Sequence, residues 1–526
     1  MNIHVMLVML LVLTACGQPT PGTENEPAPA SIKPATEHKA AGIHWFGGSV
    51  DQAFAMAKTD NKPVFLYWGA VWCPPCHELK ATVFQEPSFI QASRQFVPVY
   101  LDGDTPGAQK YAEQYGVMGY PTLVVFNTSG EELTRIPNGL DLGAYANVLQ
   151  YALNDLQPIG KITQRILTEL EQPTIALNEA ECRMLAQHSW QQDPEPLEPA
   201  VLGEVFSAAA LHCPTSAAKD KAALSVMQLQ QQMLATTDSD GKVKLTDTDK
   251  QRAAQQLSTL LDRPLQLQSN MYLFLATGES LAAILTPELQ TRFETLYENM
   301  ADNVDSDLFQ RIQSLRALVG LNKALDANLN EGVLTRISAL RSEAEKMDRA
   351  DPQFHATINA TGNMLVESGQ LTEAKELLSA EVSRSKYVYY FMGELADIEQ
   401  KLGNADAAIE WRRKAFDQAR GPATRFQWGV NYLRTVLELD ADNLEAVRSG
   451  FDEVFAELAA SKSMYQRSRT RLEGLDESLR AWAGDNAPRM AALAEFRRTT
   501  QTHCLSLPAT EQAKSYCESF LYTSEA

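Results

Sequence analysis

The alternation of apolar and polar residues changes near residue 157. Before this point, short and mostly apolar runs lie at 63–69 and 96–102, the second ending in Asp102. Such runs are typical of strands that are covered on both faces. Residues 49–61 and 76–84 instead carry apolar side chains at helical spacing, which predicts helices between the strands.

Three further elements complete this part of the chain. Residues 106–116 predict a helix that a proline opens and a glycine closes. Residues 121–136 predict a hairpin whose strands flank Asn-Thr-Ser-Gly, and residues 142–153 predict a last helix. Together the pattern predicts an α/β domain at 42–156, with a mixed sheet flanked by helices on both sides.

From 157 to 526 the helical spacing dominates and strand-like runs vanish, so this region is predicted to be all-α. Within it, Gly369 and Gly403 are 34 residues apart, as are Ala374 and Ala408. This period, near residues 355–422, resembles that of tetratricopeptide repeats (TPR). No third copy keeps the period, so an irregular helical bundle remains the alternative.

The N-terminus carries export signals. Residues 5–13 are apolar but too few to span a bilayer, which is typical of a secretory signal peptide at 1–15. The following Leu-Thr-Ala-Cys resembles the lipobox of bacterial lipoproteins, with Cys16 as the lipidated residue. An ordinary signal peptide with a chance cysteine is the alternative.

Residues 16–41 are rich in Pro, Thr, Glu and Ala and nearly free of large apolar residues, which predicts a disordered tether. About 25 residues in an extended polyproline-like state reach at most about 80 Å. We therefore expect a lipid-anchored protein on the periplasmic side of a Gram-negative cell envelope. Gly17, where an aspartate would favour retention at the inner membrane, weakly favours the outer membrane.

The formal net charge of −20 argues against nucleic acid as a partner and against a polybasic membrane patch. Besides Cys16 there are six cysteines. In an oxidising compartment the four distant ones are expected to form structural disulfides. Of the three possible pairings, proximity favours Cys182–Cys213 and Cys504–Cys517, and four unpaired buried thiols are the alternative.

The remaining pair lies in the sequence Trp-Cys-Pro-Pro-Cys-His, at 72–77. Cys-x-x-Cys is typical of a redox dithiol, and Cys-x-x-Cys-His of c-type haem attachment. A strand before Cys73, the residues Pro74 and Pro75 between the cysteines, and a helix after them favour the dithiol. Backbone donors at the helix N-terminus would stabilise a Cys73 thiolate. His77 could lie on the helix surface, tune the thiol or bind haem.

The motif at 72–76 and the sequence Tyr-Pro-Thr at 120–122 together resemble the thioredoxin superfamily over residues 42–155. The resemblance is strongest to bacterial extracytoplasmic thiol–disulfide oxidoreductases of the DsbD C-terminal-domain type. It implies an attacking Cys73, a buried resolving Cys76, and a cis-Pro121 facing the dithiol. It further implies that the Tyr120 backbone binds the incoming chain and that Trp72 shields the site.

One position departs from this family pattern. Thioredoxins usually carry a buried aspartate six residues before the first cysteine, as proton acceptor for the resolving thiol, and here that position is Tyr67. A phenol with a pKa near 10 is a poor proton acceptor at neutral pH. Glu78 and Asp102 are candidates for the missing base, although each is more readily explained as a solvated surface charge.

The sequence therefore predicts a membrane-anchored thiol–disulfide oxidoreductase without cofactor or metal. It would reduce or isomerise disulfides of client proteins with electrons from a membrane thiol donor, while the helical repeats bind a peptide or protein. An oxidase remains a rival. A TPR-like scaffold with a non-catalytic dithiol is the alternative, and a haem protein is the weakest one. The enzymatic interpretation requires an exposed Cys73 sulfur with Cys76 buried behind it.

Overall fold

The structure is a computed structural model. It describes residues 42–70, 73–136, 157–263, 270–351, 353–384, 388–461, 464–504 and 517–521, together with residues 149 and 266. The predicted signal peptide, Cys16 and the tether lie outside the described residues. So does the helix predicted at 142–153, apart from residue 149.

Four strands form one mixed sheet. They are β1 (Val64–Gly69), β2 (Val97–Asp102), β3 (Thr122–Phe126) and β4 (Glu132–Ile136), in the order β2-β1-β3-β4. β1 pairs parallel with β2 and antiparallel with β3, and β3 pairs antiparallel with β4. Every residue of β1 and β3 is buried, which explains why both strands are apolar apart from Thr122 at the start of β3.

Helices cover both faces of this sheet. α1 (Val50–Asp60) and α4 (Pro106–Gln114) pack on one face, while α2 (Pro74–Ala81) and α3 (Pro87–Ser93) pack on the other. The mixed sheet with helices on both sides is therefore confirmed. α2 begins at the second residue of the Cys-Pro-Pro-Cys sequence and ends before a short 3-10 turn at Val83–Gln85.

The rest of the described chain is helical, apart from one isolated bridge between Thr237 and Val243, so the predicted all-α region is confirmed. No helix among the described residues is long and apolar enough to cross a membrane. The helices are α5 (Ile159–Thr168), α6 (Glu179–Gln187), α7 (Pro199–His212), α8 (Ala218–Ala235), α9 (Asp247–Leu261), α10 (Met271–Leu281), α11 (Pro287–Asp302), α12 (Leu308–Ala324), α13 (Glu331–Ala344), α14 (Phe354–Glu367), α15 (Leu371–Val382), α16 (Val388–Lys401), α17 (Ala405–Gln418), α18 (Pro422–Leu439), α19 (Leu444–Ser461), α20 (Gln466–Ala483) and α21 (Ala487–Cys504).

The 34-residue period corresponds to two successive helical hairpins, α14–α15 and α16–α17. Gly369 and Gly403 occupy the turns inside these hairpins, and both have φ +80°, a conformation that strongly favours glycine. Ala374 and Ala408 are completely buried, where a small side chain lets the paired helices approach. The repeated residues therefore occupy equivalent places in the fold.

The helical region also covers the free edge of the sheet. The backbone N–H of Ser189 donates to the carbonyl of Arg135 on β4 (3.1 Å). The N–H of Arg135 donates to Nδ1 of His188 (3.3 Å), while its buried guanidinium donates to the carbonyl of Gln192 (2.9 Å). Pairing an edge strand in this way removes the unpaired backbone groups through which sheets aggregate.

Two disulfides lie in the helical region. The structure bonds Cys182 of α6 to Cys213 after α7, and Cys504 of α21 to Cys517. This is the pairing that sequence proximity favours. Both bonds join segments that are neighbours along the chain, so each one closes a short loop.

We expect the Cys182→Ala/Cys213→Ala double variant to lower the free energy of unfolding by about 3–4 kcal/mol, because the bond closes a loop of 31 residues. Urea denaturation followed by circular dichroism measures the loss. The Cys504→Ala/Cys517→Ala variant opens a loop of 13 residues and should lose less. A loss below about 1 kcal/mol in the first variant would show that the loop-closure argument is wrong here.

Candidate active site at the Cys73–Cys76 pair

The two cysteines lie at the N-terminus of α2, directly after β1 and its loop. Their sulfurs are bonded, with an S–S distance of 2.02 Å. The backbone N–H of Cys76 donates to Sγ of Cys73 (3.2 Å), and the N–H of His77 donates to the Cys73 carbonyl (3.0 Å). Cys73 therefore occupies the capping position, where helix donors would stabilise its thiolate after reduction.

The loop before β3 faces this pair. The Tyr120–Pro121 peptide bond is cis, and the Tyr120 side chain packs against Cys73 and Cys76. The hydroxyl of Tyr120 donates to the Gly103 carbonyl (2.8 Å), which holds its ring in place. Burial raises the pKa of Tyr120 to about 12, so the phenol stays neutral at physiological pH.

Both sulfur-bearing residues are enclosed. Cys73 is 1% exposed and Cys76 is completely buried. The expectation of an exposed Cys73 was therefore wrong for this conformation. Cys73 is buried because the helical region packs against the α/β domain on two sides of the cysteine pair.

On the first side, α20 and α18 cover the cis-proline loop. The guanidinium of Arg467 on α20 lies 5.0 Å from the centre of the Tyr120 ring, a cation–π contact. The same guanidinium donates to Oε1 of Gln427 on α18 (2.8 Å). Beside it, the Thr424 hydroxyl donates to the Asp104 carboxylate (3.0 Å).

An ion pair anchors this contact. Glu113 of α4 accepts from Nη2 of Arg469 (2.9 Å) and from the backbone N–H of Gln466 (3.2 Å). Gln466 is the first residue of α20, so the carboxylate also interacts favourably with the helix dipole. Because the Arg469 side chain is only 7% exposed, removing Glu113 would take a carboxylate away from a buried charge.

On the second side, α2 packs against α14. The half-buried His77 of α2 lies close enough to His355 of α14 to affect its ionisation. Burial lowers the pKa of His355 to about 4, with further lowering by the charges of His77 and Arg349. His77 therefore faces another part of the chain rather than an open helix surface.

The place of the usual buried acid is aromatic. Tyr67 is completely buried, and its ring lies 4.8 Å from the Phe84 ring and 5.6 Å from that of Tyr100 on the neighbouring strand. Asp102 follows two residues after Tyr100 and is half-buried rather than fully solvated. Burial raises the pKa of Asp102, while a hydrogen bond from Asp104 and the charge of Lys80 on α2 lower it.

Some expected site residues have no described side chain. Trp72 lies outside the described residues, and for Pro74, Pro75 and Glu78 only the backbone within α2 is described. Among the described residues, no group of three or more His, Cys, Asp or Glu side chains is arranged to hold a metal ion.

Sequence reasoning missed the residues that the helical region brings to the dithiol, namely Arg467, Asp104 and His355. Arg467 lies almost 350 positions after Tyr120, whose ring it contacts. Neither its spacing nor its neighbours distinguish it from other surface arginines of a helix. Only the acidic pair at 102 and 104, directly after a buried strand, carries a signal that could have pointed to this edge of the sheet.

Residues 50–153 match the family model described as a thioredoxin-like domain. The thiol:disulfide interchange protein DsbD of Salmonella typhimurium is 33% identical over 113 residues, which cover 21% of this chain and 19% of DsbD. The disulfide bond reductase DsbH of Chlamydia pneumoniae is 29% identical over 132 residues, covering 22% of this chain and 75% of DsbH. The chain thus spans about a fifth of the DsbD relative's length.

Taken with the observed sheet, these matches show that this part of the chain is a thioredoxin-like domain. A solved structure, the APC/C hetero-tetramer Cut9-Hcn1, aligns with 84% of this chain and 83% of its own chain, at 12% identity and a TM-score of 0.20. A score that low carries no argument about the helical region.

We expect Glu113→Ala to raise the alkylation rate of Cys73 in the reduced protein about tenfold or more, because the ion pair between Glu113 and the buried Arg469 is lost and the contact opens more often. Timed iodoacetamide labelling with mass spectrometry of the Cys73 peptide measures this. Glu495→Ala is the control, because its pair with Arg448 is half exposed and contributes little. Equal rates in both variants and wild type would mean that this contact does not limit access.

The buried carboxyl group of Asp104 should make the free energy of unfolding depend on pH. Burial raises the pKa of Asp104 to about 7, while Arg467 partly lowers it. Between about pH 4 and 7 the folded state therefore holds a proton that the unfolded state has lost, so this group makes the free energy of unfolding fall as pH rises. Asp104→Asn keeps an acceptor for Thr424 but cannot ionise.

Relative to wild type, Asp104→Asn should become more stable as pH rises from 4.5 to 7.5. Urea midpoints at pH 4.5, 6.0 and 7.5 measure the difference. The exposed Asp60→Asn on α1 is the matched control and should follow the wild-type profile. A difference between Asp104→Asn and wild type that does not change with pH would contradict the assignment.

Proposed function

We propose that this chain, which carries a thioredoxin-like domain at residues 50–153, is a thiol–disulfide oxidoreductase that reduces or isomerises disulfides of client proteins. One observation supports this most directly. A cysteine pair caps the N-terminus of α2, with the Cys76 N–H directed at the Cys73 sulfur, and it faces a cis-proline loop. The matches to DsbD and DsbH, whose names describe disulfide interchange and reduction, add to it.

In the reducing direction the reaction transfers two electrons from the dithiol to the client. The Cys73 thiolate attacks one sulfur of the client disulfide, so a Cys73–client bond forms, the client S–S bond breaks and the released client thiolate takes up a proton. Sγ of Cys76, after losing its proton, then attacks Sγ of Cys73. The Cys73–Cys76 bond forms and the second client thiolate leaves. A membrane dithiol donor would reduce the pair again, and no cofactor is needed.

The proton of Cys76 needs an acceptor, since Tyr67 replaces the usual aspartate. We propose Asp102 for this role. It lies on the same sheet face as Tyr67 and Tyr100, because side chains alternate along β2, and this is the face on which α2 packs. Its raised pKa brings the carboxyl closer to the range in which it can exchange protons near neutral pH.

The enclosure of the dithiol adds a requirement. A client disulfide reaches Sγ of Cys73 only when the contact between α20 and the cis-proline loop separates. The contact is polar, with Glu113, Arg469 and Asp104 at its centre, and polar contacts between domains of one chain are typical of surfaces that move apart. The enclosed form then protects the pair from unrelated thiols.

We also propose an extracytoplasmic location, with a lipid anchor at Cys16 and a tether at 16–41. The sequence resemblance to a lipobox supports the anchor, and the favoured structural disulfides suit an oxidising compartment. The helical repeats would hold a client peptide or protein close to the dithiol.

The burial of both cysteines favours a second candidate function. If the enclosed pair never opens, it is a structural disulfide and the chain is a scaffold lipoprotein whose helical region binds partners. The reduction potential of the pair separates the two functions. A structural disulfide is expected below about −300 mV, and a catalytic one between about −270 and −120 mV, with the higher values typical of oxidants and isomerases.

We expect Cys73→Ser to lower the reduction rate of a fluorescent cystine peptide by about 10³-fold or more, because the attacking sulfur is lost. Cys76→Ser should instead accumulate a mixed disulfide between Cys73 and the peptide, visible as added mass under non-reducing conditions. The Cys182→Ala/Cys213→Ala variant is the control and should keep its activity at low temperature. Unchanged turnover in Cys73→Ser would exclude the proposed chemistry.

A further inference from the structure

Three arginines lie side by side next to the dithiol. Arg467 and Arg471 are four residues apart on α20, so they lie on the same face of that helix. Arg434 comes from α18, and its Nη1 is 3.8 Å from where a Cβ atom on Gly474 would lie, one turn beyond Arg471 on that face. We call Arg434, Arg467 and Arg471 the arginine cluster.

Only the Tyr120 side chain separates Arg467 of this cluster from the two cysteines. The guanidinium of Arg467 lies over the ring of Tyr120, and that ring packs against Cys73 and Cys76. Arg471 and Arg434 continue along the same side of α20, where α18 packs against it, with Arg434 exposed and Arg471 half-buried. A peptide whose disulfide sits at Cys73 beside the cis-proline loop would pass these guanidinium groups within a few residues.

Two of the three charges in the cluster have no ion-pair partner in the described part of the chain. These are Arg434 and Arg471, whereas Arg467 has Asp104 nearby. Burial lowers the pKa of Arg471 to about 10, and the next causes are its two cationic neighbours. Other arginines of these two helices do have carboxylate partners, as Arg469 and Arg425 do.

An arrangement of this kind is unfavourable until an anion joins it. Like charges at short range repel each other, here with Arg471 partly desolvated, and a carboxylate placed among them removes that repulsion. A guanidinium offers two parallel donors, which match the two oxygens of a carboxylate. In a chain with 66 acidic and 46 basic residues, a cluster of three adjacent arginines departs from the overall charge.

We propose that the arginine cluster binds a carboxylate side chain of the client, and that the preferred substrates are therefore disulfides within acidic peptide segments. This inference rests on the proposed function and names the substrate class of the same site. The client carboxylate would also compete with the Tyr120 ring for Arg467, so that acidic clients favour the uncovered state of the dithiol.

The test compares two fluorescent cystine peptides of equal length, one with four glutamates around the cystine and one with four glutamines. The reduced full-length protein should turn over the acidic peptide with a kcat/KM about tenfold higher, because charge-assisted hydrogen bonds are stronger than neutral ones. This preference should decline as salt concentration rises.

Substitutions in the cluster should remove the preference. We expect Arg471→Gln and Arg434→Gln to reduce it to below about threefold, and Arg471→Lys to keep part of it, since lysine retains the charge but not the two parallel donors. Arg498→Gln removes one exposed arginine of α21 and should keep the full preference. Circular dichroism checks that each variant is folded.

The possible results separate this inference from the proposed function. If wild type reduces both peptides at rates within twofold of each other, the redox function stands and the arginine cluster does not select clients. An equal loss of preference in Arg498→Gln would also overturn the inference, because the effect would then come from overall charge. If neither peptide is reduced, the proposed function fails, and the substrate class fails with it.

Discussion

The capping of α2 by Cys73 is the interaction on which the candidate chemistry depends. The helix begins where β1 has ended, so its first N–H groups have no carbonyl partners within the helix and one of them is directed at the Cys73 sulfur. A sulfur held there is stabilised as a thiolate by donors that need no rearrangement. The sheet, packed on both faces, fixes β1 and thereby the position of the helix N-terminus relative to the cis-Pro121 loop.

The helical region completes this site and at the same time closes it. Its N-terminal segment pairs with the edge strand β4, while α20 contacts the domain beside Tyr120 and α18 contacts it at Asp104. The groups that meet there are charged or polar, and Asp104 is buried enough for its pKa to rise to about 7. These contacts are hydrogen bonds, an ion pair and a cation–π contact, and polar contacts between domains of one chain are typical of surfaces that move apart. Enclosure and access are therefore both possible in one chain.

Local features were predictable from the sequence. Strand β1 follows from an apolar run, as expected of a strand covered on both faces, and β3 and β4 follow from the hairpin pattern around Asn-Thr-Ser-Gly. Gly369 and Gly403 showed the repeat, because each hairpin turn requires a left-handed residue. The burial of Cys73 could not be inferred in the same way. It depends on which distant surface packs against the residue, and the residues next to it in the sequence do not indicate that surface.

The amino-acid sequence by itself determined the helices, the strands, the redox motif and the residues that cap it, since these depend on side-chain spacing and on backbone geometry within a few residues. Tertiary structure alone decided that Arg467 lies on Tyr120, that Glu113 pairs with Arg469, and that Arg434 of α18 lies beside α20. The physical reason is the separation along the sequence of the residues that interact. Backbone conformation responds to near neighbours, whereas contacts between residues 350 positions apart arise only when the packed helices bring them together.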